Sequence, residues 1–250
     1  MRRHLIAGNW KMNGLKADGI ERVERLAAMA ETSPPVAEVL LCPPATLVAV
    51  LREGVKESPI VFGGQDCHAR QNGAFTGDIS AAMLADIGCG YVIVGHSERR
   101  RDHGEDDQIV AAKAAAAHDA GLTAIVCVGE SKAERDAGRA LDVVAGQVRA
   151  SLPDGANAAN TVIAYEPVWA IGTGDTATPG DVAQIHRMIR DLLEDMAPGQ
   201  SQCFRILYGG SVNAGNAAEL LALADVDGAL VGGASLKPED FWTIVEAVPT

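Results

Sequence analysis

One unit recurs along this chain: a short apolar or β-branched run, a polar or glycine-rich loop, then a stretch of helical periodicity. Eight strand-like runs lie near residues 5–8, 36–42, 60–63, 91–94, 122–128, 161–165, 204–208 and 228–231. Amphipathic or alanine-rich stretches stand between them, among them 20–30, 106–120, 141–152, 181–196 and 216–223. Such alternation imposes a parallel sheet joined by right-handed crossovers. Eight units in 250 residues predict an α/β fold of the (β/α)8 barrel type, eight parallel strands ringed by helices, with an open doubly wound sheet as the alternative. No linker or low-complexity tract divides the chain, so one barrel domain over 1–250 is expected.

Bulk properties narrow the partners. A formal charge of −12 disfavours nucleic acid and anionic membrane, which need a basic face. Any anion site must then be built locally, from a few cations and backbone N–H groups. No segment reaches the roughly 18 uninterrupted apolar residues of a membrane span. The opening MRRHLIAGNWKMN lacks the apolar core of a secretory signal, and cytoplasmic residence is the expectation. Cys42, Cys67, Cys89, Cys127 and Cys203 are widely spaced and odd in number, and the six histidines form no HExxH and no His/Cys cluster. Neither a disulfide framework nor a protein-held metal is indicated. GTGDTATPG departs from the dinucleotide pattern, and the chain has no GxxxxGK[ST] loop and no GxSxG elbow. A nucleotide cofactor and a serine nucleophile are therefore not expected.

Barrel enzymes collect their sites at the carboxyl ends of the strands. The sixth run ends in AYEPVWAIGTG, where Pro167 biases Glu166 toward extended backbone and alternation puts Val162, Ala164 and Glu166 on one face. Taken alone, Glu166 is either a base beneath a closing apolar loop or a solvated charge. The first run ends in GNWKMN, and alternation gives Ala7, Asn9 and Lys11 a common face, an amide beside a cation, unless Lys11 is a surface lysine. The fourth ends in VGHSERR. There Val92, Val94 and His96 are expected on one face, with Ser97 as a helix cap and Glu98 in the first turn. Donors at a helix start disfavour a cationic imidazole, so His96 is expected to be neutral, either as a hydrogen-bond donor or as a satisfied core residue. YGGSV and VGGAS follow the last two strands, with glycine pairs leading to Ser211 and Ser235. Glycines there let backbone N–H groups approach an oxyanion. The irregular stretch 64–78 is long enough to be functional or an interface element.

GNWKMN, GAFTGD, VGHSERR, CVGE, AYEPVWAIGTG, ILYGGSV and LVGGASL, in this order and spanning nearly the whole chain, closely resemble the triosephosphate isomerase family. The resemblance implies interconversion of dihydroxyacetone phosphate and D-glyceraldehyde 3-phosphate, a step shared by glycolysis and gluconeogenesis, without metal or organic cofactor. It implies Glu166 as the base, His96 as the neutral electrophile, and Lys11 and Asn9 as electrostatic stabilisers of the enediolate. Gly172, Ser211, Gly232 and Gly233 would hold the phosphate, with Glu98 and Cys127 supporting the site from behind. Pro167, Val168, Trp169, Ala170, Ile171, Gly172, Thr173 and Gly174 would form the lid. A homodimer is implied as well, with Gln65, Phe75, Thr76 and Gly77 on a loop that enters the partner near its Lys11. Two positions depart from the family pattern: Asp175 where a basic residue is common, and Asp66 where Asn is frequent. An isomerase of a related short phosphosugar, or a non-catalytic triose phosphate-binding barrel, are the competing readings. A sensor needs the phosphate loops but not a base, which is the role the resemblance gives Glu166.

Overall fold

Each of the eight runs forms a strand, with bounds within two residues of those expected. The computed structural model describes residues 2–171 and 176–249. The strands are β1 (Leu5–Asn9), β2 (Glu38–Cys42), β3 (Val61–Gly64), β4 (Tyr91–Val94), β5 (Thr123–Val128), β6 (Thr161–Tyr165), β7 (Arg205–Tyr208) and β8 (Gly228–Val231). They pair in parallel in chain order, and β8 closes on β1 through Leu5↔Gly228 to Gly8↔Val231. The open-sheet alternative is thereby excluded.

Strand sequences read as unbroken apolar runs because both faces are covered. Leu5, Ala7, Leu40, Cys42, Ile93, Ile125, Cys127, Val162, Ala164, Leu207 and Leu230 fill the barrel interior. Their alternates, such as Ile6, Val92, Val94, Val126, Ile163 and Val231, pack outward against the helices. Those helices are α1 (Lys16–Thr32), α2 (Ala45–Gly54), α3 (Ala81–Asp86), α4 (Ser97–His103), α5 (Asp107–Asp119), α6 (Lys132–Asp136), α7 (Ala140–Ser151), α8 (Pro179–Met196), α9 (Ala217–Leu221) and α10 (Pro238–Glu246). Two of the long ones carry their own start signals: Asp106 caps α5, and Thr178 with Asp181 closes a capping box around Pro179 at the head of α8. The stretch expected as helix over 216–223 keeps only α9 in α-helical form.

At the amino ends of the strands, Glu38, Tyr91 and Arg205 close the barrel floor. Arg205 pairs with Glu38 at 2.5 Å and donates to the Tyr91 hydroxyl at 2.8 Å, which donates in turn to Glu38 at 2.9 Å. The stretch after β3 projects as a long loop whose neck is fixed by His68, bridged to Ser80 and stacked on Phe75 at 4.1 Å. Asp66 at its root accepts from Lys113 at 2.8 Å and pairs with Arg99 at 3.0 Å, so the departure from Asn brings its charge to two waiting cations. Phe75 is partly exposed on this loop, and Met12, Leu15 and Met83 are exposed apolar side chains elsewhere.

Candidate active site

Glu166 follows β6 directly and keeps the strand's alternation, so its side chain enters the barrel mouth above Ala164. Its N–H donates to the Val128 carbonyl at 2.7 Å. Two glycines make room for it. A Cβ on Gly129 would lie 1.7 Å from the Glu166 carbonyl oxygen, and one on Gly209 would lie 2.8 Å from Glu166 Cγ. The carboxylate is 1 % exposed, and both oxygens are occupied. Oε1 lies 2.9 Å from His96 Nε2, and Oε2 accepts the Ser97 N–H at 3.0 Å. Burial alone raises its pKa, but His96, the Ser97 N–H and Lys11 together outweigh burial and hold it below the usual range. Glu166 is therefore a carboxylate at neutral pH.

His96 reaches the mouth by a route that strand alternation does not predict. Val92 and Val94 face the helices, not the interior, and so do not share a face with His96. Gly95, at φ +67°, breaks the alternation and swings His96 inward. His96 itself is the cap of α4, with Nδ1 accepting the Glu98 N–H at 3.2 Å, while the expected cap Ser97 is the first helical residue and serves Glu166. That acceptor role at Nδ1 leaves the proton of the neutral ring on Nε2, facing Glu166. Burial disfavours the imidazolium, yet the adjoining carboxylate more than offsets burial and leaves the His96 pKa raised. Neutrality expected from the helix start is thus opposed for as long as Glu166 is the partner.

Lys11 is the one non-glycine with positive φ among the described residues, at +53°. Such backbone costs an L-residue roughly 1 kcal/mol and persists where neighbours over-determine it. Here its N–H donates to Asn9 Oδ1 at 3.1 Å and its carbonyl accepts from Gln65 Nε2 at 2.8 Å, an amide that also holds the Cys42 carbonyl at 2.8 Å. The ammonium meets Glu98 at 2.6 Å. Cys127 lies fully buried beneath, its thiol pushed far up by burial and then by Glu166.

Asn9, Lys11, His96 and Glu166 share one cavity of about 370 Å³ with Ser211, Gly232 and Gly233. Ala170 and Ile171 of the expected lid also line it, and so do Gly209, Gly210, Asn213 and Leu230, which are not among the expected site residues, although Gly209 and Gly210 are the paired glycines of YGGSV. Ser235 turns away, donating to the Gly232 carbonyl at 2.7 Å and bracing that turn. In the expected lid, Val168–Ala170 form a 3-10 turn, and the Trp169 indole donates to Glu130 at 2.9 Å. Gly172, Thr173, Gly174 and Asp175 lie outside the described residues. Glu130, within CVGE, is not among the expected site residues: Tyr165, Val168 and Trp169 reach it from β6 and the loop beyond, at separations no local pattern encodes. The Gln65 contact with Lys11 lies within the chain itself and likewise has no local signal; Phe75, Thr76 and Gly77 sit exposed beyond it.

A buried carboxylate, an imidazole, an ammonium and glycine-rich turns at one barrel mouth define an acid–base enzyme for a small anionic substrate. The family model for triosephosphate isomerase matches residues 4–248. Triosephosphate isomerase of Afipia carboxidovorans is 58% identical over 250 residues, covering 99% of this chain and 98% of the relative. That of Bradyrhizobium sp. strain ORS 278 is 59% identical over 245 residues, covering 98% and 97%. The crystal structure of the Bartonella henselae triosephosphate isomerase superposes with a TM-score of 0.91 at 46% identity, covering 98% of each chain. The chain belongs to the triosephosphate isomerase family.

Proposed function

We propose that this chain interconverts dihydroxyacetone phosphate and D-glyceraldehyde 3-phosphate by moving one proton between adjacent carbons through an enediolate. Glu166 takes the proton from the carbon beside the carbonyl and returns it to the neighbour. To do so it must exchange His96 and the Ser97 N–H for substrate. That exchange removes the carboxylate that raises the His96 pKa, and the ring, with Nδ1 occupied by the Glu98 N–H, then donates from Nε2 to the substrate carbonyl oxygen. Lys11 and Asn9 offset the charge that develops on the enediolate oxygens, a task of a few kcal/mol for each well-placed donor. Backbone N–H groups at Ser211, Gly232 and Gly233, and at Gly172 of the lid, bind the phosphate without importing cations into an acidic protein. The lid from Pro167 to Gly174 excludes water, which strengthens these interactions and guards the intermediate against loss of phosphate.

The convergence of Glu166, His96 and Lys11 on one cavity carries this reading. A sensor of triose phosphate has no use for a buried base with two exchangeable partners. The chain acts as a single barrel domain in the cytoplasm and as a homodimer, the loop bearing Phe75, Thr76 and Gly77 entering a second copy near Lys11. Exposed Met12, Leu15 and Phe75 support that assembly. A coupled assay with dihydroxyacetone phosphate and a four-carbon ketose phosphate tests the substrate: turnover of the first and little of the second is expected. Preference for the longer sugar would move the assignment to a related phosphosugar isomerase.

A further inference from the structure

Behind the reacting groups, one cation ties four segments of the chain together. Arg100, on α4, donates from Nε to the Gly95 carbonyl at 2.9 Å and from Nη2 to the Cys127 carbonyl at 3.1 Å. Its Nη1 meets Asp107 Oδ1, at the head of α5, at 2.6 Å, and Nη2 also reaches Ser151 Oγ, at the end of α7, at 3.0 Å. Ser151 is fully buried and donates to the same Asp107 oxygen at 3.0 Å, so these two acceptors are themselves held. The two carbonyls lead to the site. Gly95 precedes His96 and directs it inward at φ +67°, and Cys127 precedes Val128, whose carbonyl holds the Glu166 N–H at 2.7 Å. One guanidinium therefore holds the backbone on either side of the 2.9 Å contact between His96 Nε2 and Glu166 Oε1. A planar fork of five N–H donors can meet four acceptors that diverge in this way, whereas an ammonium offers three donors from a single nitrogen.

We propose that Arg100 is a positioning residue for the isomerisation, fixing the Gly95 turn against β5 so that the His96 ring stands in one place relative to Glu166 and to the substrate carbonyl. The inference rests on the isomerase reading above. Arg100 touches no reacting atom and acts through the Gly95 and Cys127 carbonyls. Misplacing a reacting group by about 1 Å can lower a rate by up to about a hundredfold. The loops proposed to bind phosphate are elsewhere, so the loss falls on kcat rather than on KM. Gly95, Arg100, Cys127, Gly129 and Gln147 line a cavity of about 370 Å³. A free guanidinium ion thus has room to take the place of a missing side chain.

Arg100→Ala, with guanidinium added back, tests this. In the folded variant, kcat for dihydroxyacetone phosphate is expected to fall about tenfold or more with KM within about threefold of wild type. Guanidinium at tens of millimolar should recover several-fold of that loss, while sodium chloride or urea at the same concentration should recover none. Arg101→Ala is the control: Arg101 is exposed and pairs with adjacent Asp102 at 2.6 Å, and its kcat should stay at wild type. A purely structural role would lower stability and leave the kcat of the folded protein unchanged. Should Arg100→Ala not fold, Asp107→Asn and Ser151→Ala decide the matter, each expected to lower kcat by about twofold to threefold at unchanged KM. Wild-type kcat in the folded variants, or a loss in Arg100→Ala that guanidinium leaves as it is, would overturn the inference while leaving the isomerase reading intact. A wild-type chain that does not isomerise the substrate at all would overturn both.

Discussion

The two ends of this barrel use charge in opposite ways. At the floor, Glu38, Tyr91 and Arg205 stand at the first residues of three strands and satisfy one another on unstrained backbone. At the mouth, Glu166 is almost wholly buried against His96 and the Ser97 N–H, partners that the proposed reaction exchanges for substrate, and Lys11 sits on backbone at φ +53° that two neighbouring side chains must hold. Floor charges meet fixed partners and close the barrel. Mouth charges meet provisional ones, and the cost of keeping them there is met by the rest of the fold.

Substitutions can break this contrast or sharpen it. Lys11→Met should lower kcat/KM by about two to three decades, as loss of one electrostatic stabiliser does, while thermal unfolding stays near wild type. A matched loss of stability would place Lys11 with the floor residues instead. Arg205→Met should do the reverse. It leaves Glu38 with a half-satisfied charge and is expected to cost about 2–3 kcal/mol in denaturant unfolding, with kcat within about twofold of wild type. Lys11→Gly probes the strain directly: turnover is lost, but unfolding free energy rises by up to about 1 kcal/mol because glycine accepts positive φ.

The smallest effect concerns pH. His186, on α8, is fully buried, with Nδ1 on the Asp225 carbonyl at 2.9 Å, and burial pulls its pKa down to about 4. Between that value and the ordinary 6.5 the unfolded chain binds the proton and the folded chain does not. Stability is therefore present above about pH 6.5 and falls as pH drops, by about 1 kcal/mol between pH 6.5 and 5.5. His186→Gln should flatten that portion of a pH–stability curve. An unchanged slope would mean that this histidine is not what titrates.

Strand positions were legible because apolar runs covered on both faces differ plainly from amphipathic helices. Asn9 and Glu166 were legible because each keeps the alternation of its strand, Asn9 at the end of β1 and Glu166 one residue past β6, whereas Lys11, on backbone at φ +53°, was legible through its motif. His96 was legible only as a motif. The face assigned to it was wrong, since Gly95 turns the chain out of register and alternation has no term for a left-handed residue. Ser97 looked like a cap, yet its hydroxyl was not needed once His96 accepted the Glu98 N–H. Glu130 was not legible at all. Its partners Tyr165, Val168 and Trp169 lie on β6 and the loop beyond, and closure of the barrel is what brings these together.

Turnover of dihydroxyacetone phosphate by Glu166→Gln, measured beside wild type on protein shown to be folded and to bind a phosphate analogue, bears most directly on the mouth as a catalytic site. Removal of the only proposed base should lower kcat by at least about three decades with analogue binding retained. Undiminished turnover would contradict proton transfer by Glu166 and, with it, the assignment of the mouth's charges to catalysis.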